Sequence, residues 1–284
     1  MAVTQIQEGF NQNFIVDSPG GITCFVKKLR PTGEPRHNPF KQLNWRLTHT
    51  IFRSPHRSHM RLPDTPYSPQ NLDKEVLTWQ CWKEAGIPVL DLYAVDRETL
   101  TLAWEYKPHC LSFDVLLNQG RPQYRKFELL MDLMDEIRTL AIRHNNSLFL
   151  HSDPGLVNFL YHTKEDRVYP IDAAVIMETG MDIHRLNIFT LNMFLGSLLG
   201  LELPDLEVRN YVRLFSNHLT PEEARDLYHF KRRHSLFHNW YFGLRNFRQH
   251  RIKKRPKKQF LCFEDVIFQQ RYAHCAQDIL RARF

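Results

Sequence analysis

The apolar residues of this chain change their spacing once, and that change limits the architectures open to it. Up to about residue 107 they fall in short runs of strand character. NFIVDSPGGITCFVKKLR holds two runs around a turn at Pro19-Gly20-Gly21, and IPVLDLYAVD and TLTLAWEY are two more. One helix interrupts them over residues 72–85, where Val76, Leu77, Trp79 and Trp82 precede a stop at Gly86. From CLSFDVLLNQG onward the spacing is helical. Residues 122–144 carry a stripe of Phe127, Leu130, Leu133, Met134, Ile137 and Leu140, and everything after residue 186 reads as helix. A strand-like LFL, a hairpin around HTKED and a return strand VYPIDAAVIM stand between. This order implies an α+β fold of two unequal lobes with a cleft between them. Residues 1–107 would form a small antiparallel-sheet lobe and residues 108–284 a mainly helical one.

A chain of 284 residues with 43% hydrophobic and 12% aromatic content can bury a sizeable core, which excludes a disordered protein. Its five cysteines (Cys24, Cys81, Cys110, Cys262 and Cys275) are scattered, and no pair has metal-ligand spacing. Reduced thiols in a cytoplasmic protein are expected. MAVTQIQEGFNQ has neither the basic start nor the apolar core of an export signal. The uncharged LNIFTLNMFLGSLLGL is shorter than a membrane span and carries two Asn, a Thr and a Ser, so it reads as a buried core helix.

The net charge of +7 is unevenly spread. Residues 231–258 hold eleven Lys or Arg and no Asp or Glu, and residues 30–61 hold seven against Glu34 alone, which leaves the rest net acidic. Two basic regions on an acidic body point to an anionic partner. The first lies within a Pro-, His- and Arg-rich insertion at 31–70, where Arg53, Arg57 and Arg61 could line an acceptor site. The second interleaves Phe237, Trp240, Tyr241, Phe242 and Phe247, which would suit a membrane interface or the core face of a terminal helix. No recognised nucleic-acid module accompanies either, so a nucleic-acid partner ranks below these.

The stretch LFLHSDPGLVNFLY sets a carboxylate, an imidazole and an amide between two apolar runs. Phosphoryl transfer from a nucleotide needs a cation for the phosphates, oxygen ligands for magnesium and a carboxylate to orient the attacking hydroxyl. The chain holds candidates in the order that protein-kinase-like enzymes use. Lys27 ends the strand ITCFVKK, and Glu75 lies on the following helix. His151, Asp153 and Asn158 fit H-x-D-x-x-x-x-N, and Asp172 follows after one hairpin. Asp153 and Asp172 sit among apolar neighbours, where an unpaired carboxylate is costly.

On these residues the chain resembles the protein-kinase-like superfamily over approximately 13–230. Its short first lobe, EVLTWQCWKEAGIPVLDLYAV, HSDPGLVNFLY and IDAAV are similar to the bacterial lipopolysaccharide kinases, which phosphorylate Kdo or heptose sugars of the inner core. The resemblance implies ATP and Mg2+ as cofactors and a two-lobed kinase-like fold. Lys27 would contact the nucleotide phosphates, Glu75 would hold Lys27, and Asp153 would orient or deprotonate the acceptor hydroxyl. Asn158 and Asp172 would bind the metal, and Glu105-Tyr106 would be the adenine-binding hinge. The acceptor would be an anionic glycolipid or sugar, met by peripheral contact with the cytoplasmic face of the inner membrane. Lys28 is the alternative phosphate ligand, and His151 is expected to pack the loop. No G-x-G-x-x-G precedes Lys27, which leaves Gly20 and Gly21 to cover the phosphates. Ser152 replaces the Arg of H-R-D, Asp-Ala-Ala replaces D-F-G, and no A-P-E follows, as suits a kinase without a switched activation loop. A kinase of another small molecule or of a protein, and an inactive nucleotide-binding module, are the rival readings.

Overall fold

A computed structural model describes residues 3–8, 11–17, 21–29, 69–173 and 182–227. The insertion up to residue 68, the basic region 231–258, Gly20, Cys262 and Cys275 lie outside these residues.

The first part is a five-stranded antiparallel sheet. Its strands are β1 (Val3–Glu8), β2 (Asn11–Asp17), β3 (Thr23–Leu29), β4 (Leu92–Asp96) and β5 (Thr101–Glu105), in the order β1-β2-β3-β5-β4. Side chains alternate across a strand, so one face of β3 carries Phe25, Lys27 and Leu29, and Lys28 points the other way. Helix α1 (Pro69–Glu84) covers that face, its Leu72 and Val76 packing with Leu29 and Leu102. The helix begins three residues before the expected start and ends as expected. Gly86 takes φ +85°, its N–H donates to Lys83 O at 3.1 Å, and Ile87 N–H donates to Trp82 O at 2.9 Å. That is a Schellman closure, which needs a residue without a β-carbon at the left-handed position.

The second part opens with a strand rather than a helix: β6 (Cys110–Ser112), followed by α2 (Phe113–Leu117) and α3 (Tyr124–His144). A one-turn 3-10 helix (Leu156–Asn158) leads into β7 (Phe159–His162), and β8 (Arg167–Pro170) returns to complete a β6-β7-β8 sheet. Helices α4 (Ile183–Leu199) and α5 (Asp205–Asn217) finish the described fold. The stripe on α3 faces the main core, where Phe127 meets Phe194 of α4 and Tyr211 of α5. The uncharged segment is buried in α4 as expected, and no helix among the described residues is long and apolar enough to cross a membrane.

Three local expectations are corrected. The strand-like run at 148–150 is a bend, because Asn145 adopts φ +46° at the end of α3 and Asn146 Oδ1 accepts from Leu148 N–H at 3.0 Å. The return strand stops at Pro170, after which one further bond, from Ile171 N–H to Asn158 O at 2.9 Å, ties the chain back before Asp172 leaves the sheet. Strand β1, absent from the sequence reading, adds an edge to the first sheet.

Candidate active site

The two parts meet around a cavity of about 620 Å³. From the first sheet and α1 come Asn13, Phe25, Lys27, Glu75 and Trp104. From the second come Asp153, Asn158, Ile171 and Asp172, and residues 105–110 pass along one side. Residues as distant in the chain as Asn13 and Asp172 thus share one wall.

Lys27 is the hub. Its Nζ donates to Glu75 Oε1 at 2.9 Å and Oε2 at 2.7 Å, and to Asp172 Oδ1 at 2.7 Å. Lys27 and Glu75 are each 4% exposed. Burial alone would lower the lysine's pKa, but the two carboxylates outweigh it and hold the ammonium above the usual lysine range. A buried cation so paired stays charged. Lys28, on the opposite face of the strand, does not line the cavity.

Asp172 holds its backbone at φ +60°, a left-handed conformation that Asp adopts more readily than most residues. Its side chain remains 40% exposed toward the cavity mouth while bonded to Lys27. Positive φ in a non-glycine residue beside a cavity marks stored strain of the kind found at functional sites.

His151 organises the loop. Its Nδ1 accepts from Asp153 N–H at 3.2 Å, so Nε2 carries the hydrogen and donates to Ile171 O at 2.9 Å. Burial pushes its pKa down to about 4, although the Asp172 charge and the backbone carbonyls oppose that shift. The imidazole is therefore a neutral packing group, wedged between Trp82 and Phe159. Ser152 is fully enclosed, and its Oγ has no partner among the described residues. Asn158 Nδ2 donates to Asp153 O at 2.8 Å, which leaves Oδ1 as the end able to meet a cation. Burial and the nearby Asp172 charge raise the Asp153 carboxyl above the ordinary aspartate value, against an opposing hydrogen bond from Asn158.

Not every expected residue joins this group. The register Asn11↔Leu29 and Asp17↔Thr23 puts the β2–β3 turn, and Gly21 in it, at the end of β3 remote from Lys27. Six residues of strand at about 3.3 Å each separate Gly21 from Lys27 by roughly 20 Å. It is the β1–β2 connection, between Glu8 and Asn11, that joins the sheet at the Lys27 end. Glu105 lies along the cavity, but its N–H is committed to Asp91 O at 2.7 Å and its carboxylate to Lys107 at 3.3 Å. Asn13, Phe25, Trp104 and Lys107 also line the cavity and were not singled out from sequence. The available signal was alternation, since Phe25 lies two residues from Lys27 on one face.

A strand lysine clamped by a helix glutamate stands over an H-x-D-x-x-x-x-N loop and a left-handed aspartate. The fold around it is α+β, an antiparallel sheet followed by a mainly helical part. No family model and no curated protein matches the sequence. Among solved structures, a choline/ethanolamine kinase family protein from Mesorhizobium loti aligns over 99% of this chain and 88% of its own, at 10% identity and a TM-score of 0.49. Choline kinase LicA from Streptococcus pneumoniae aligns over 99% and 94%, at 12% identity and 0.43. WaaP, solved in complex with acyl carrier protein, aligns over 80% and 83%, at 14% identity and 0.43.

Proposed function

We propose that the protein is an ATP- and magnesium-dependent phosphotransferase acting on an alcohol, with a sugar hydroxyl of the lipopolysaccharide inner core as acceptor. The observation that carries the reaction class is Lys27, held at hydrogen-bond distance by Glu75 and Asp172 in a cavity that also contains Asp153 and Asn158. The acceptor class rests on the resemblance of the sequence motifs and on the two basic regions.

In this reading Lys27 releases Asp172 and turns its ammonium to the nucleotide phosphates, while Glu75 keeps it in place. Among the described residues no group of three or more His, Cys, Asp or Glu could hold a metal alone. One carboxylate and one amide oxygen nevertheless suit magnesium, which takes few protein ligands and fills its octahedron with phosphates and water. Asp172 and Asn158 would hold it, and when bound it would neutralise charge on the transferred phosphoryl group. Asp153 accepts the hydroxyl proton as the alcohol oxygen bonds to the γ-phosphorus and the bond to ADP breaks. The proton then passes to solvent.

Asp153→Asn should lower kcat by at least about 100-fold while leaving ATP affinity within about threefold, as removal of a general base does. Phosphate release or transfer and direct ATP titration measure the two. ATP binding without turnover on any alcohol offered would leave a nucleotide-binding module. Mass spectrometry of lipopolysaccharide from cells lacking the protein tests the acceptor, and an unchanged phosphate count would reject it.

A further inference from the structure

Asn13 is a cavity residue whose side-chain polar atoms have no partner among the described residues. It lies directly opposite Lys27 across the β2–β3 pair, so the two side chains share a sheet face with β-carbons about 5 Å apart. Its Oδ1 is buried without a donor. Its Nδ2 is not among the buried atoms and bonds to nothing among the described residues, yet Asn13 forms part of the cavity wall. Phosphate oxygens only accept, so it is the unengaged Nδ2, and not the buried Oδ1, that could meet one in the cavity.

The neighbour suggests the use. All three hydrogens of Lys27 Nζ are directed at carboxylate oxygens, so the ammonium can offer a ligand only what Asp172 gives up. The chain also lacks the G-x-G-x-x-G whose backbone N–H groups would surround a triphosphate. A neutral donor beside Lys27 would supply part of what both leave wanting.

We propose that Asn13 contacts the triphosphate, its Nδ2 donating to a phosphate oxygen beside Lys27. The assignment rests on the nucleotide reading above. Calorimetric titration of the full chain with Mg-ATP and with adenosine tests it. Asn13→Leu and Asn13→Ala should weaken Mg-ATP about tenfold and leave adenosine within about twofold, and Asn13→Asp should weaken Mg-ATP further by setting a charge against the phosphates. Asn13→Leu removes the unpaired acceptor, so its melting temperature without nucleotide should not fall. Unchanged Mg-ATP affinity in all three variants would overturn the assignment and leave the nucleotide reading standing. Equal losses for Mg-ATP and adenosine, with a fall in melting temperature, would overturn it in favour of a structural role. Wild-type protein that binds neither ligand would overturn the nucleotide reading itself, and this assignment with it.

Discussion

His151 carries a consequence for acid stability. Its pKa in the folded chain is about 4, below the 6.5 of an exposed histidine. As pH falls, the unfolded chain takes up the proton first, so the contribution of the neutral ring is complete above pH 6.5 and is lost as pH approaches 4. The loss is on the order of 3 kcal/mol. Urea unfolding of wild type and His151→Asn across this window should show the wild type losing more stability, and parallel curves would refute it. Asp153 titrates in the opposite sense: burial and the Asp172 charge raise its pKa, and the proposed base works only when ionised. The acid limb of kcat/KM should therefore lie above that of an ordinary aspartate, as a pH–rate profile would show. Both residues were legible in the sequence because a polar loop between apolar runs is conspicuous. Asn13 was not, since a lone Asn in a strand looks like solvent-facing alternation until its cross-strand partner is known.

At the level of elements, helices were more legible than turns. The stripe on α3 and the Gly86 stop on α1 were plain because apolar periodicity and a left-handed glycine are local signals. The placement of Gly21 failed for a topological reason. Successive turns of an antiparallel sheet alternate between its two ends, so overlooking β1 moved the expected phosphate-covering turn to the wrong end of the sheet. VTQIQE has only two apolar residues in six, and nothing local distinguished it from a polar leader. Helix α1 is held partly by Trp82, 2% exposed, whose Nε1 donates to Phe149 O at 2.7 Å. Trp82→Ala should cost about 3–5 kcal/mol by denaturant titration. Because Glu75 rides on the same helix, activity at temperatures where the variant remains folded should fall as well. Full activity there would show that the Lys27–Glu75 bond does not depend on this anchor.

The molecule as a whole was predictable to the extent that its halves are. The change from strand to helix spacing implied two lobes, whereas the bonds that join them depend on packing that no local pattern encodes. One example is the cluster where Lys107 pairs with Glu165 at 3.0 Å and Glu105 at 3.3 Å, while Tyr169 donates to Glu165 and His162 Nε2 meets Pro108 O at 3.0 Å. It fastens the β7–β8 turn to the segment leaving the first sheet. A ligand spanning both lobes and binding only the folded chain should stabilise it by about 2.7 kcal/mol at a hundredfold excess over Kd. For a domain of this size that is a rise in melting temperature of roughly 5–8 °C with Mg-ATP, shrinking when EDTA removes the metal. No rise at saturating nucleotide would remove the proposed site.

Asn158 and Asp172 stand at the two feet of one hairpin, and Ile171 N–H donates to Asn158 O at 2.9 Å. Their separation is therefore governed by ladder register rather than by how widely the upper and lower halves gape. If those halves breathe apart, the pincer travels intact and only its grip on the ammonium of Lys27 is broken, so in the proposed reading metal capture and phosphate capture would be independent steps.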